Sequence, residues 1–527
     1  MVVLALVARR CRAFCLAALV AGGLGAAPGV SFAAESAAPS STGKAAQPLV
    51  RLVAGSEEVA SETRHTLRIG GRGLDYRATA GNLVVQDAHG APALSLFFVA
   101  YTLDGAPLGQ RPIMFLFNGG PGSASLWLHL GSFGPVRVAL PDHAFASPAA
   151  VTLGPNPDTL LQSTDLVFLD APGSGFSRAI GKAKPSDFYS VDADVDAFSK
   201  AIQRYLTKFG RWDSPKFIYG ESYGTTRAAA LTYLLERRGV TVSGTILQSS
   251  ALYMARIEDG SDAEYISALP TMAAVAWHYD RIPGGRPPSM EGFVDDARRF
   301  AAGPLADALA KGQTIDDTEL ADVSRKIAGF TGLPADFIEA AKLRVTTAQF
   351  QTELLRDRGL SIGELDGRYT TFDADKNAQE PEFDPSLRAI MPAYVSSFHA
   401  YLSSQLGLTS DLPYNVTAEW DGDMNWNYSH VTPSGQRQLS VNTADDLAAA
   451  LRINPHLSVL SLNGWFDLDT PLFGTERDLS HMMLPAELQK NITLKYYPAG
   501  HMLYTSTPAL HAVHSDLEQF IAKALGE

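Results

Sequence analysis

Short, fully apolar runs alternate with amphipathic stretches in two separate parts of the chain. In the first part, Ile113–Phe117 has the pattern of a strand buried on both faces, and a helical period covers Val191–Phe209. In the second part, Leu457–Asn463 and Ile492–Tyr497 repeat the buried-strand pattern. This alternation predicts an α/β fold with a mostly parallel central sheet and helices on both faces.

Helical periods without strand signals dominate from about residue 251 to residue 431, and one continuous helix is predicted over Met290–Leu309. We interpret residues 251–431 as a mainly helical cap inserted into the sheet. The first part of the core is predicted to span residues 61–250, beginning with antiparallel hairpins, and the second part residues 432–527.

The first 33 residues have the pattern of a secretory signal peptide. Three arginines, the last of them Arg12, precede the apolar run Ala13–Ala27, and small residues precede a possible cleavage point after Ala33. An uncleaved membrane anchor is the alternative, but glycines and a proline interrupt the run. We therefore expect export to the periplasm or the medium, with no membrane attachment after cleavage. Residues 34–60, rich in Ala, Ser and Pro, are predicted to form a flexible leader.

Composition narrows the class of protein. The chain has 527 residues, 46% hydrophobic and 19% charged, which is typical of a globular protein with a sizeable core. Its formal net charge of −13 argues against binding to nucleic acid. Both cysteines, Cys11 and Cys15, fall in the predicted signal peptide, so no disulfide is expected after cleavage. We expect no metal or cofactor, and the sequence does not indicate an oligomeric state.

The stretch Gly220–Gly224 (Gly-Glu-Ser-Tyr-Gly) lies between an apolar run and a helical period. Strand, sharp turn and helix form the context of a nucleophile elbow, in which the central serine stands exposed at the end of a strand. Ser222 is thus a candidate nucleophile, and a loop serine between two glycines is the alternative.

A serine nucleophile requires a histidine base and a carboxylate that orients it, and in this topology they follow in the order Ser, Asp, His. Asp467 follows one predicted strand, and His501 follows the last one. Asp469 is a rival for the acid, because residues two apart point to the same side of an extended chain.

Backbone N–H groups can stabilise the oxyanion of an acyl-transfer reaction. The residue after the nucleophile, Tyr223, supplies one, and a glycine loop after an earlier strand supplies the other. Gly119 and Gly120 fit this loop, for which a simple tight turn is the alternative.

Four motifs together resemble the serine carboxypeptidase family, which has the α/β-hydrolase fold. They are Asn118–Gly122, Asp170–Ser177, Gly220–Gly224 and Gly500–Met502. The resemblance implies removal of C-terminal residues from peptides with a free C-terminus, by way of an acyl-enzyme intermediate.

The resemblance also implies roles for seven positions. They are the nucleophile Ser222, the acid Asp467, the base His501, the oxyanion donors Gly120 and Tyr223, and the residues Asn118 and Glu221 that bind the terminal carboxylate. A carboxyl group beside another carboxylate is favoured when one is protonated, so we expect better peptidase activity in acid.

Two positions depart from the family pattern. Ser123 stands where eukaryotic members have a cysteine, and Leu116 stands where they have a tryptophan. The chain therefore resembles a disulfide-free bacterial branch, and Leu116 weakens the expected requirement for a free C-terminus. A carboxylesterase or acyltransferase with the same triad is one alternative, and a non-catalytic binding protein of the same fold is another.

Overall fold

The computed structural model describes residues 49–143, 145, 151–257, 261–418 and 424–526. Leu49–Glu527 forms one compact unit. The predicted signal peptide, both cysteines and the first part of the predicted leader lie outside the described residues.

Ten of the eighteen strands found in these described ranges form one large sheet. The strands are β1 (Val50–Leu52), β2 (Ala60–Ile69), β3 (Arg72–Gln86), β4 (Pro92–Leu103), β5 (Ile113–Phe117), β6 (Val136–Ala139), β7 (Thr152–Pro155), β8 (Asp165–Leu169), β9 (Arg178–Ala179), β10 (Lys216–Glu221), β11 (Gly244–Gln248), β12 (Leu360–Ile362), β13 (Thr370–Phe372), β14 (Leu408–Ser410), β15 (His430–Val431), β16 (Arg437–Gln438), β17 (Ser458–Gly464) and β18 (Ile492–Tyr497). The order across the sheet is β18-β17-β11-β10-β5-β8-β4-β3-β2, with β9 paired to β4. The six strands from β18 to β8 are parallel, and β4, β3 and β2 continue the sheet in antiparallel pairs. This is the α/β-hydrolase fold that the sequence predicted.

Helices cover both faces of the sheet and form the inserted region. They are α1 (Leu126–Leu128), α2 (Val191–Lys208), α3 (Tyr223–Arg237), α4 (Asp262–His278), α5 (Met290–Phe300), α6 (Ala306–Lys311), α7 (Asp317–Thr331), α8 (Ala335–Ala340), α9 (Thr347–Glu353), α10 (Pro385–Ser404), α11 (Ala444–Ile453), α12 (Leu472–Ser480), α13 (Ala486–Gln489) and α14 (Thr507–Leu525).

Alternate side chains of the central strands enter two different hydrophobic clusters. In β5, Met114 and Leu116 pack on one face together with residues of α10 and α14. Phe115 and Phe117 pack on the other face with residues of α2, α3 and α11. Both faces are therefore covered, as expected for a parallel sheet whose strands read as continuous apolar runs.

The inserted region has a hydrophobic cluster of its own. Helices α4 to α9 contribute to it, and so do Trp465, Phe466 and Leu468 from the loop that follows β17. The helical period over Met290–Leu309 is confirmed: α5 continues through the π-helical turn Ala301–Leu305, which contains Gly303 and Pro304, into α6. Helix α10, although it lies in the predicted cap, packs against the sheet instead.

The predicted leader of residues 34–60 extends too far. Residues 50–52 form β1, which pairs in parallel with β14, and β2 begins at residue 60. Leu52 is buried, and the short Val-Arg-Leu alternation provides one apolar face for this pairing. The composition of residues 34–60, rich in small residues, gave no indication of this strand.

A buried histidine ties β15 to two helices. His430 Nδ1 lies 2.6 Å from Asp192 Oδ1 in α2, and His430 Nε2 lies 2.9 Å from Asp446 Oδ2 in α11. Burial alone would lower the pKa of His430, but the two carboxylates raise it to about 9.

None of the helices in the described ranges has both the length and the apolar character needed to traverse a bilayer.

Candidate active site

The predicted site residues lie just beyond the carboxyl ends of four parallel strands. Asn118 follows β5, Ser222 follows β10, Asp467 follows β17 by three residues, and His501 follows β18 by four. Parallel strands end at the same edge of a sheet, where ligands bind in open α/β folds. The topology therefore gathers residues that are almost 400 positions apart in sequence.

Ser222 occupies a strained turn between β10 and α3. Its φ and ψ are +59° and −133°, a conformation that a side-chain-bearing residue rarely adopts. A Cβ on Gly220 would lie 2.0 Å from the carbonyl oxygen of Gly224, so the turn closes only with glycine there. The predicted strand–turn–helix context is confirmed, and the serine lies at its apex.

The glycine loop after β5 packs directly on this turn. A Cβ on Gly119 would lie 2.5 Å from the backbone nitrogens of both Tyr223 and Gly224, and Gly120 has a φ of +107°. Glycine is needed here because the two backbones are in contact. Gly119, which directly precedes the predicted oxyanion donor Gly120, thus contacts the backbone of Tyr223.

The buried Arg227–Asp194 ion pair supports the contact between the glycine loop and the turn at Ser222. Arg227 donates to both carboxylate oxygens of Asp194, at 2.7 and 3.3 Å, and its Nη1 donates to Asn118 O at 2.9 Å. The guanidinium also lies over the rings of Phe198, at 4.2 Å, and Tyr223, at 5.5 Å. Arg227 thus connects α2, the elbow helix and the start of the glycine loop.

Asp467 and His501 are brought together. His501 Nδ1 lies 3.0 Å from Asp467 Oδ2 and 3.6 Å from Asp469 Oδ2. Asp467 is buried and also accepts hydrogen bonds from the backbone N–H and the hydroxyl of Thr470, at 2.9 and 2.6 Å. Asp469 is more than one-third exposed at its side chain, so the geometry favours Asp467 as the orienting acid.

The charges of this pair stabilise one another. Burial alone would raise the pKa of Asp467, but the His501 charge and the hydrogen bonds from His501 and Thr470 hold it below its usual value. Burial alone would lower the pKa of His501, but the Asp467 charge and hydrogen bond raise it. The pair is therefore arranged to stabilise an imidazolium.

Gln248 links the backbones of Ser222 and His501 by hydrogen bonds. In the described part of the chain, the hydroxyl of Ser222 makes no hydrogen bond to His501. Gln248 accepts a hydrogen bond from Ser222 N at its carbonyl, at 3.0 Å, and its Nε2 donates to His501 O, also at 3.0 Å. Catalytic hydrogen bonds are often long in unliganded sites and tighten when substrate binds.

A short segment of the inserted region, residues 364–368, holds the Asp467 and His501 loops; we call it the clamp segment. The backbone carbonyl of Glu364 accepts a hydrogen bond from Leu468 N at 3.0 Å. The backbone carbonyl of Leu365 accepts one from His501 N at 2.6 Å. Arg368 Nη1 donates to Pro498 O at 3.0 Å. Backbone on both sides of the acid–base pair is therefore fixed by the clamp segment.

Asn118 and Glu221 form a buried side-chain pair beside the elbow. Asn118 Nδ2 donates to Glu221 Oε1 at 2.7 Å, and Tyr504 OH donates to the same oxygen at 3.2 Å. Gln248 Nε2 donates to Glu221 Oε2 at 2.9 Å. Burial raises the pKa of Glu221 to about 7, although the His501 charge and the hydrogen bonds from Tyr504 and Asn118 oppose the rise.

All seven predicted site residues lie at this edge of the sheet, whereas Gln248, Thr470, Arg227 and the clamp segment were not predicted. The one visible signal for Gln248 was its position at the end of the predicted strand Gly244–Gln248. No set of three or more His, Cys, Asp or Glu side chains within the described ranges is arranged to hold a metal ion.

Comparison with known proteins supports a partial relationship. Residues 72–266 match the family model for serine carboxypeptidase, which covers the glycine loop and the elbow but neither Asp467 nor His501. Serine carboxypeptidase-like 51 of Arabidopsis thaliana is 31% identical over 127 residues, 24% of this chain and 25% of that protein. Serine carboxypeptidase ctsa-3.2 of Caenorhabditis elegans is 28% identical over 145 residues, 27% of this chain and 26% of that protein. The match thus spans about a quarter of the length of these relatives.

Solved structures similar to the chain include a proline iminopeptidase from Mycobacterium smegmatis, with 13% identity and a TM-score of 0.34 over 88% of this chain and 98% of that one. A carboxyl esterase from Bacillus coagulans has 11% identity and a TM-score of 0.34 over 84% of this chain and 98% of that one. Scores this low carry no argument, and the fold rests on the topology described above.

Proposed function

We propose that the protein is a serine-type carboxypeptidase that removes C-terminal residues from peptides. The observation that carries the proposal is the buried Asn118–Glu221 pair, joined by a 2.7 Å hydrogen bond, in which Glu221 directly precedes Ser222 in the chain. A general esterase has no need for a recognition group for a free carboxylate at this position. The partial match to the serine carboxypeptidase family points in the same direction.

In the proposed mechanism, Ser222 Oγ attacks the scissile carbonyl carbon while His501 Nε2 accepts its proton. Asp467 holds the imidazole through Nδ1 and stabilises the imidazolium that forms. The N–H groups of Gly120 and Tyr223 donate to the developing oxyanion. His501 returns the proton to the departing amine, and water then hydrolyses the acyl-enzyme by the same steps.

Glu221 would bind the substrate carboxylate in its protonated form. Two carboxylates in contact repel each other, whereas a protonated carboxyl group can donate a hydrogen bond to the other. With a pKa raised to about 7, Glu221 is increasingly protonated as the pH falls below neutrality. Binding of a free C-terminus is therefore expected to be stronger in acid and to weaken as the pH rises through about 7.

A matched set of substrates tests this proposal. We expect an N-blocked dipeptide with a free C-terminus to be hydrolysed with a much higher kcat/KM than its amide, and this preference to diminish above pH 7. In Glu221→Gln the neutral amide can donate a hydrogen bond at any pH, so the preference should persist above pH 7. Equal rates on the free acid, the amide and a simple ester would instead indicate a carboxylesterase or acyltransferase. No turnover, together with no labelling of Ser222 by a fluorophosphonate, would indicate a binding protein.

Export is a second part of the proposal. It is supported by the arginine-led apolar segment before Ala33. N-terminal sequencing of protein from the periplasm and the medium is expected to begin at residue 34. Recovery of the full-length chain in the cytoplasm would contradict it.

A further inference from the structure

Gln248 forms hydrogen bonds with Ser222, Glu221 and the His501 loop. It is buried and ends β11, where it pairs in register with Glu221 of β10. Residues in register on neighbouring strands have their side chains on the same face, and neighbouring strands lie about 4.8 Å apart. The sheet therefore places this amide beside the Glu221 carboxyl and opposite the loop that carries His501.

The orientation of the Gln248 amide is fixed by its partners. Its Nε2 faces Glu221 Oε2 at 2.9 Å and His501 O at 3.0 Å. A backbone carbonyl oxygen can only accept, so the NH₂ group must point this way. Its Oε1 accepts from Tyr219 OH at 2.6 Å. Every polar atom of the side chain is thus used.

The hydrogen bonds around Glu221 differ between its two oxygens. Asn118 and Tyr504 both donate to Oε1 and occupy its two lone pairs. Oε2 receives the Gln248 bond and keeps one position for a proton. Charged or titratable groups that also act on Glu221 are His501, Asp467, Tyr504, Tyr219 and Tyr394. Among its hydrogen-bond partners, Gln248 faces the oxygen that would carry the proton.

We propose that Gln248 is a positioning residue that orients the protonated oxygen of Glu221 and sets the pH at which Glu221 loses its proton. The inference rests on the proposed function for its meaning, because Glu221 is there the group that binds the substrate carboxylate. A donor to a carboxylate favours the ionised form, so the Gln248 bond holds the ionisation of Glu221 at a lower pH than burial alone would. Removal of the donor is expected to move that ionisation upward by about one pH unit.

Ser249 provides a matched control. Its hydroxyl donates to the same carbonyl of His501, at 2.7 Å, and it lies next to Gln248 in the chain. Ser249 makes no hydrogen bond to Glu221 among the described residues. Ser249→Ala therefore removes one hydrogen bond to the His501 loop and leaves the donors to Glu221 unchanged. Gln248→Met removes a hydrogen bond to the same loop and also a donor to Glu221.

The test is a pH titration of Glu221 itself, followed by the infrared band of its protonated carboxyl group and assigned by the loss of that band in Glu221→Gln. We expect the midpoint to rise by about one pH unit in Gln248→Met and to stay unchanged in Ser249→Ala. An unchanged midpoint in folded Gln248→Met would overturn the inference, and so would an equal rise in both variants. If Gln248→Met fails to fold, Gln248→Leu serves instead, with the same rise expected because leucine also lacks the donor to Glu221.

Activity then separates this inference from the proposed function. In an active peptidase, the alkaline limb of kcat/KM for the free-acid peptide should move with the infrared midpoint, while the profile for an ester should not. A limb that stays in place while the midpoint moves would refute the link to binding. If no peptide is turned over, the proposed function fails, but the infrared midpoints still decide the role of Gln248.

Discussion

The buried Arg227–Asp194 pair offers a quantitative test of how the site is supported. Both side chains are fully buried, and their shortest contact is 2.7 Å. Removing one partner of a buried pair leaves an uncompensated charge and typically costs about 3–5 kcal/mol. We therefore expect Arg227→Met to lower the free energy of unfolding by that amount. The double variant Arg227→Met/Asp194→Leu should recover most of the loss, because no charge is left buried.

The same two helices contain a matched control. Arg238, at the end of α3, contacts Asp196 of α2 at 2.5 Å, but both side chains are about one-third exposed. Pairs near the surface are screened by solvent and contribute at most about 1 kcal/mol. Arg238→Met should therefore lower the free energy of unfolding by about 1 kcal/mol or less.

The pH dependence of the Arg227→Met deficit follows from Asp194. Burial already raises the pKa of Asp194, while the charge of Arg227 opposes the rise, so loss of Arg227 raises it further. A raised folded-state pKa lowers stability as the pH rises above the unfolded value of about 3.9. The deficit should thus be largest near neutral pH and shrink in acid.

Guanidinium unfolding followed by tryptophan fluorescence, at neutral and acid pH, measures these differences. A parallel assay of Ser222 labelling by a fluorophosphonate reports whether the glycine loop has shifted, since Arg227 also donates to Asn118 O. Equal stabilities for the single and double variants, or equal losses for Arg227→Met and Arg238→Met, would refute the reasoning.

Three further outcomes are expected. Ser222→Ala should abolish turnover in a peptide assay. Its unfolding midpoint, followed by circular dichroism, should equal that of the wild type within error. Asp467→Asn should lower kcat by about 10⁴-fold and Asp469→Asn by far less, and the reverse order would reassign the acid. The pKa of His430 is raised, so its ion pairs with Asp192 and Asp446 stabilise the fold fully below the unfolded pKa of about 6.5. This stabilisation is lost as the pH rises through about 9, so the free energy of unfolding should fall over this interval. His430→Gln should flatten that fall, and an identical decline in both proteins would exclude the histidine as its cause.

The parts of the fold that could be predicted are those encoded locally. Ile113–Phe117 and Ile492–Tyr497 were predicted with the same bounds that β5 and β18 have. A fully apolar run with sharp ends, such as Ile113–Phe117, leaves little choice of structure, whereas Ile492–Tyr497 contains Thr493 and Lys495 and forms a half-buried edge strand. The turn around Ser222 could likewise be predicted, because the two flanking glycines are dictated by backbone contacts that no side chain would allow.

The features that were missed depend on contacts between distant segments. The clamp segment acts through backbone carbonyls of Glu364 and Leu365, which any residue would supply, so its sequence carries no signal. Arg227 is one of many arginines in the sequence, and its partner lies in another helix. Strand β1 depends on residues about 360 positions away, which a local pattern cannot reveal.

The inserted region lies between two neighbouring parallel strands of the sheet. The chain leaves the sheet at the carboxyl end of β11 and re-enters it at the amino end of β17, so the connection must cross from one edge of the sheet to the other. The entropy of closing a loop grows slowly with its length, so segments of very different size could be exchanged between these strands without distorting the sheet. A chimaera that omits the clamp segment would nevertheless release the backbone on both sides of Asp467 and His501. Variation in selectivity by exchange of this region is therefore constrained by five residues that need not touch a substrate.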